Sequence, residues 1–96
     1  MNILWTDEAV DDLEEILVYC HSQAGPLTAE AVHSRIVAKV EALRVFPDRI
    51  RASARIPSGH ELVVRRMPYI AFVHVTDDAV IVLNVVHTAR DFPARR

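Results

Sequence analysis

Ala79-Val80-Ile81-Val82-Leu83-Asn84-Val85-Val86-His87 is the stretch on which the fold turns. Only Asn84 interrupts its apolar run before the closing histidine, so neither face of an extended chain would be polar. That predicts a central strand, or a strand whose second face awaits a partner. Immediately upstream, Asp77-Asp78 is a hairpin-turn signal, and Tyr69 to Thr76 supplies the strand on its other side. A third β-rich stretch runs from about Glu61 to Met67, and Pro68 after it implies a bend or an edge position. Pro47 to His60, with Arg49, Arg51 and Arg55, reads as an exposed arginine-rich connection.

Further upstream the period changes from two to 3.6. Val32, Ile36, Val40 and Leu43 mark one face of a helix that Thr28 is expected to cap, and Pro47 stops it near Val45. Ala9, Leu13, Ile16, Leu17 and Cys20 mark an earlier helix from about Asp7 to Ser22, with Thr6 as its cap and Asp7 and Glu8 in its first turn. Gly25-Pro26 separates the two, which predicts an antiparallel helical hairpin. Asn2 to Trp5 is a plausible first strand, free to join either edge or to lie between later strands. The expected class is α+β, ordered β-α-α-β-β-β, with the helical hairpin packed on a small, mainly antiparallel sheet.

Ninety-six residues suffice to bury roughly two thirds of the unfolded chain's surface in one core, so a single domain is expected. A 51% hydrophobic content excludes intrinsic disorder, and no apolar run reaches the ~20 residues of a membrane span. The N-terminus lacks the pattern of a signal peptide, and Cys20 is the lone cysteine, which together predict a cytoplasmic protein without membrane partners. Formal charge is −2, which argues against a globally basic nucleic-acid binder. The total conceals an asymmetry. Residues 1–43 carry two cationic side chains against eight carboxylates, whereas residues 44–96 carry nine arginines and no lysine against five carboxylates. An all-arginine basic half suits a protein or phosphate surface through bidentate hydrogen bonds, or forms an ordinary solvated rim.

Motifs for chemistry are sparse. Phosphate loops, paired-cysteine motifs and metal-helix signatures do not occur, and the five histidines are scattered, so no metal and no cofactor are expected. Cys20 lies on an apolar stripe and reads as a buried small hydrophobe. Asp11-Asp12 and Glu14-Glu15 read as solubility and dipole complement on the helix's solvent side, not as an acid–base pair. His87 is the leading catalytic candidate, with Arg65 and Arg90 as weaker ones. Strict alternation puts it in register with Ile81, Leu83 and Val85, where it would act as a base, hold a carboxylate, or tie down the C-terminus through Asp91. Arg65 and Arg66 are expected on opposite faces of their strand.

Together these segments resemble the RelE/ParE toxins of bacterial type II toxin–antitoxin modules over nearly the whole chain. The resemblance rests on Leu4-Trp5-Thr6 with Ala9, Asp12-Leu13 and Ile16, and on Leu43-x-x-Phe46-Pro47. It continues through Leu62-Val63-Val64, Pro68-Tyr69-Ile70, and Val82-Leu83-x-Val85-Val86-His87-x-x-Arg90-Asp91-x-Pro93. It implies a single RelE/ParE-like toxin domain over residues 1–96, acting in a plasmid-stabilisation or addiction module. RelE-like members cleave mRNA on the ribosome with basic residues, often an arginine in a Tyr/His-Arg-Leu-Val-Tyr segment of the middle strand. Here that segment is Tyr69-Ile70-Ala71-Phe72-Val73, with Ile70 where the arginine would stand, and the Pro-Tyr-Ile start is similar to the ParE branch.

The resemblance to ParE implies a non-enzymatic toxin that inhibits DNA gyrase by binding. The alternatives are a RelE-like ribosome-dependent endoribonuclease and a non-toxic, antitoxin-binding co-repressor. A cognate antitoxin is the implied hetero-oligomeric partner, and DNA is met only indirectly through it. Arg90, Asp91, Phe92, Arg95 and Arg96 are the target-binding candidates, and Arg55, Arg65, Arg66, Val82 and Val86 the antitoxin-binding ones. An acidic antitoxin tail would be drawn to the arginine-rich half, and the helix-hairpin groove and last strand would receive it.

Overall fold

The computed structural model describes residues 1–53, 59–64 and 66–88. Along them run β1 (Asn2–Trp5), α1 (Asp7–Ala24), α2 (Pro26–Glu41), a 3-10 turn (Ala42–Arg44), β2 (Arg51–Ala52), β3 (His60–Val64), β4 (Tyr69–Val75) and β5 (Ala79–His87). The strands form one sheet in the order β1-β5-β4-β3-β2. β1 runs parallel to β5, and the other pairs are antiparallel. The α+β class expected from the sequence is the one observed, and the open question of the first strand is answered at an edge, beside β5.

The double apolarity of β5 follows from its place between β1 and β4. Val80, Val82 and Val85 join the main core with Leu13, Ile16, Ile36, Val40 and Leu43 of the helical layer. Val86 belongs to a second buried cluster with Ile70 and Phe72. Strict alternation cannot put Val82 and Val85, three positions apart, on one face. A bulge resolves this: Val73 pairs with Val82 but Phe72 pairs with Asn84, so Leu83 is the extra residue. The same bulge overturns the expected register of His87 with Ile81. His87 shares its face with Val85, Val82 and Val80, whereas Ile81 pairs with the exposed His74 on the other.

Gly25 does two jobs between the helices. Its φ of 89° lies in the left-handed region that glycine alone enters freely, and its N–H closes α1 on the His21 carbonyl at 3.0 Å. It is also the N-cap of α2, with Pro26 in the first turn, so the second helix begins ahead of the expected Thr28 cap. The stretch expected to be a plain connection contains β2, which pairs Arg51 with Glu61 and Ala52 with His60. β3 ends at Val64 instead of Met67. Arg66 lies in the following turn with φ 64°, so it is not a strand residue opposing Arg65.

β1 covers β5 only from Ala79 to Val82, and the start of α1 takes over the rest of that edge. Thr6 donates its N–H to the Val82 carbonyl at 3.1 Å, and its hydroxyl lies 3.0 Å from the carbonyls of both Val82 and Leu83. The same Oγ1 accepts the Ala9 N–H at 3.1 Å, capping the helix as the sequence implied. Thr6→Ala should therefore cost about 1–2 kcal/mol in urea unfolding, and Thr6→Ser much less. A loss below about 0.5 kcal/mol would show that this joint is not a stabilising one.

Candidate functional site

His87 ends β5 directly opposite Tyr69, the first residue of β4. Its imidazole meets the Tyr69 ring edge-on at 5.2 Å and the Tyr19 ring of α1 at 6.4 Å. Tyr69 is buried, with its hydroxyl 3.5 Å from Cys20 Sγ on α1. Nearby, the Thr88 N–H donates to the Pro68 carbonyl at 2.7 Å, tying the end of β5 to the β3–β4 turn. Edge-to-face ring pairs of this kind contribute about 0.5–1.5 kcal/mol each. His87 thus fills a gap between α1 and the β4–β5 pair. Arg65 and Arg90, named beside it from the sequence, lie outside the described residues.

Ile70 is 5% exposed and packs with Phe72 and Val86, so position 70 of the middle strand, where the resemblance to nuclease members implied an arginine, is buried and apolar. It stands one residue from Tyr69, on the opposite face of β4 from the His87 contact. A base at His87 and a group at position 70 therefore do not converge on one reacting phosphate. Among the described residues no group of three or more His, Cys, Asp or Glu side chains is arranged to hold a metal ion.

Of the antitoxin-binding candidates, Arg66 is exposed in its turn, while Arg55 and Arg65 lie outside the described residues. Val82 and Val86 are 0% and 1% exposed, so they offer no surface to a partner and serve the two cores instead. The target-binding candidates Arg90, Asp91, Phe92, Arg95 and Arg96 also lie outside the described residues. Exposed apolar side chains stand elsewhere, including Val18, Leu27, Val45, Phe46 and Val63.

Two carboxylates matter more than the sequence indicated. Asp12, expected in a solvated row, is half-buried, and its Oδ2 accepts the Val85 N–H at 3.0 Å and the Asn84 amide at 3.2 Å. It occupies the β5 edge beyond the reach of β1, next to the bulge. Glu61 is 2% exposed, and its Oε1 accepts from Arg51 Nε and Nη2 at 3.3 and 3.2 Å. Its Oε2 accepts the Ser53 hydroxyl at 2.8 Å. The signal for Glu61 was present in the sequence: a lone carboxylate inside an apolar strand must be paired if it is buried. Asp12 gave no such signal, because its neighbours Asp11, Glu14 and Glu15 are exposed acids of the same appearance.

The comparisons with known proteins fit this geometry. The fold aligns with a toxin–antitoxin structure described as the chromosomal ParDE system from P. aeruginosa, with a TM-score of 0.81 and 25% identity over 91% of this chain and 95% of that one. It also aligns with a chain of the RelBE2 toxin–antitoxin complex from Mycobacterium tuberculosis, with a TM-score of 0.63 and 16% identity over 90% of this chain and 95% of that one, a likeness of fold alone. No curated protein matches the sequence. A family profile described as "ParE toxin of type II toxin-antitoxin system, parDE" matches residues 3–92. With nearly its whole length inside that profile, the chain belongs to the ParE toxin family of type II toxin–antitoxin systems.

Proposed function

We propose that this ParE-family toxin acts in the cytoplasm by binding DNA gyrase, without cleaving RNA, as the toxic half of a plasmid-stabilisation or addiction module that a cognate antitoxin neutralises. The observation that carries this reading is the burial of Ile70 with Phe72 and Val86. Cleaving RNA at such a sheet requires a cation for the charge that develops on phosphorus and a base within reach of the 2′-hydroxyl. An apolar cluster at the cation's position supplies neither, and His87 faces the other side against Tyr69 and Tyr19. Near-neutral net charge points the same way, because a ribosomal RNA target rewards strong basicity. Target contacts are assigned to Arg90, Asp91, Phe92, Arg95 and Arg96, whose arginines suit carboxylates on a protein surface.

The test in cells compares two variants at matched expression. His87→Ala should remain toxic, with a stability loss of about 1–3 kcal/mol from its two ring contacts. Removal of residues 91–96 should weaken toxicity. Abolished toxicity in a folded His87→Ala protein would instead identify nuclease chemistry. In vitro, the purified toxin should co-elute with gyrase on size exclusion, and independent elution at micromolar concentrations would count against the reading.

A further inference from the structure

Apart from Gly25, Arg66 is the one described residue with a positive φ, 64°. It holds the third position of a four-residue turn that the Met67 N–H closes on the Val64 carbonyl at 3.2 Å. Turns that need the left-handed region at that position select glycine or asparagine. An arginine there has neither glycine's freedom nor the short polar side chain with which asparagine bonds its own backbone. The surroundings impose the conformation. Val64 is fully buried before the turn, Met67 packs against the main core after it, and Pro68 keeps Met67 out of the helical region. Arg66 is thus a strained residue at a place where glycine would serve the fold better.

No contact among the described residues offsets that strain. Arg66 is exposed, and its guanidinium takes part in neither of the ion pairs formed there, Arg44–Glu41 and Arg51–Glu61. Strain held at an exposed site, with nothing gained inside the fold, marks a side chain used outside it. The turn also stands where β5 passes into the segment assigned to target binding. Pro68, two residues after Arg66, accepts the Thr88 N–H at 2.7 Å, and Arg90 follows two residues after Thr88. At no more than about 3.6 Å of chain per residue and ~5 Å across the paired backbones, Arg66 and Arg90 are within roughly 20 Å of each other. An interface of about 800 Å² on each partner covers such a span.

We propose that Arg66 is a target-contact residue, which extends the binding surface of Arg90, Asp91, Phe92, Arg95 and Arg96 onto the β3–β4 turn and meets a carboxylate on the target enzyme. This rests on the binding reading above, and it moves Arg66 from the antitoxin-binding group to the target-binding one. A guanidinium fork pairs with a carboxylate through two parallel hydrogen bonds. A turn locked in one conformation presents that fork with little backbone entropy left to lose on association.

The test is a variant that keeps or gains stability and loses binding. Arg66→Gly should leave the folding equilibrium constant unchanged or raise it by up to about fivefold in urea unfolding, because glycine relieves the strained φ. The same variant should bind gyrase about tenfold more weakly and inhibit growth less at matched expression. Arg66→Lys, which keeps the charge but not the fork, should fall between the glycine variant and the parent. Affinity for the co-encoded antitoxin should change less than about threefold in both. Parental toxicity in the glycine variant would overturn the proposal, and so would a loss of antitoxin affinity in place of toxicity. A drop of more than about fivefold in its folding equilibrium constant would also overturn it, by making Arg66 a structural residue. A parent toxin that does not bind gyrase would overturn the target assignment alone, because growth inhibition still reads Arg66 whichever enzyme is bound.

Discussion

Ile70→Arg should lower unfolding free energy by about 3–5 kcal/mol and confer no RNA cleavage. The side chain it replaces is 5% exposed and packed with Phe72 and Val86, on a strand paired on both sides by β3 and β5. A guanidinium placed there must either stay buried without a partner or break the cluster to reach water. The conservative Ile70→Val should cost only about 0.5–1.5 kcal/mol, so the contrast isolates charge from volume. Urea unfolding followed by circular dichroism reads both effects. If the arginine variant were as stable as the parent, position 70 would be an open surface site able to carry a cation, as a nuclease requires.

The second large effect is expected at Asp12. Asp12→Ala removes the acceptor that holds the Val85 N–H and the Asn84 amide where β5 has outrun β1. Hydrogen bonds to a charged acceptor contribute about 1.5–3 kcal/mol, and the loss should fall in that range. Asp11→Ala, one residue away on the exposed side of α1, should change stability by less than about 0.5 kcal/mol. Amide exchange gives a second readout: the Val85 N–H should lose protection in Asp12→Ala and keep it in Asp11→Ala. Equal effects at the two positions would mean that Asp12 contributes only charge to the helix.

Local periodicity carried much of the fold. The stripe Ala9-Leu13-Ile16-Cys20 is the buried face of α1, and Ile36, Val40 and Leu43 are buried beneath the second helix and its 3-10 turn. Asp77-Asp78 is the hairpin turn, closed by the Thr76 N–H on the Ala79 carbonyl at 2.8 Å. The misses share one cause, which is that their determinants are distant in sequence. The bulge at Leu83 exists because Val82 and Val85 must both reach the helical layer, and that rotated His87 away from its expected register. Asp12 differs from Asp11 only through contact with residues more than seventy positions later. β2 consists of Arg51 and Ala52, too short for any period, and it is fixed by pairing with β3 and by the Arg51–Glu61 contact.

For the site, the sequence singled out His87 as a candidate and Ile70 as the position lacking the expected arginine, and the structure separates them onto opposite faces of the sheet. Val82 and Val86 were legible as apolar, but not as satisfied by the protein's own cores. An apolar strand looks the same in sequence whether its second face is covered by a partner or by its own chain.

Two assays on one toxin preparation distinguish binding from RNA cleavage: DNA supercoiling by gyrase, and cleavage of mRNA on programmed ribosomes. Binding without chemistry predicts inhibited supercoiling, relieved by the antitoxin, and intact mRNA at saturating toxin. Unaffected supercoiling with cuts placed in register with the codons would contradict it.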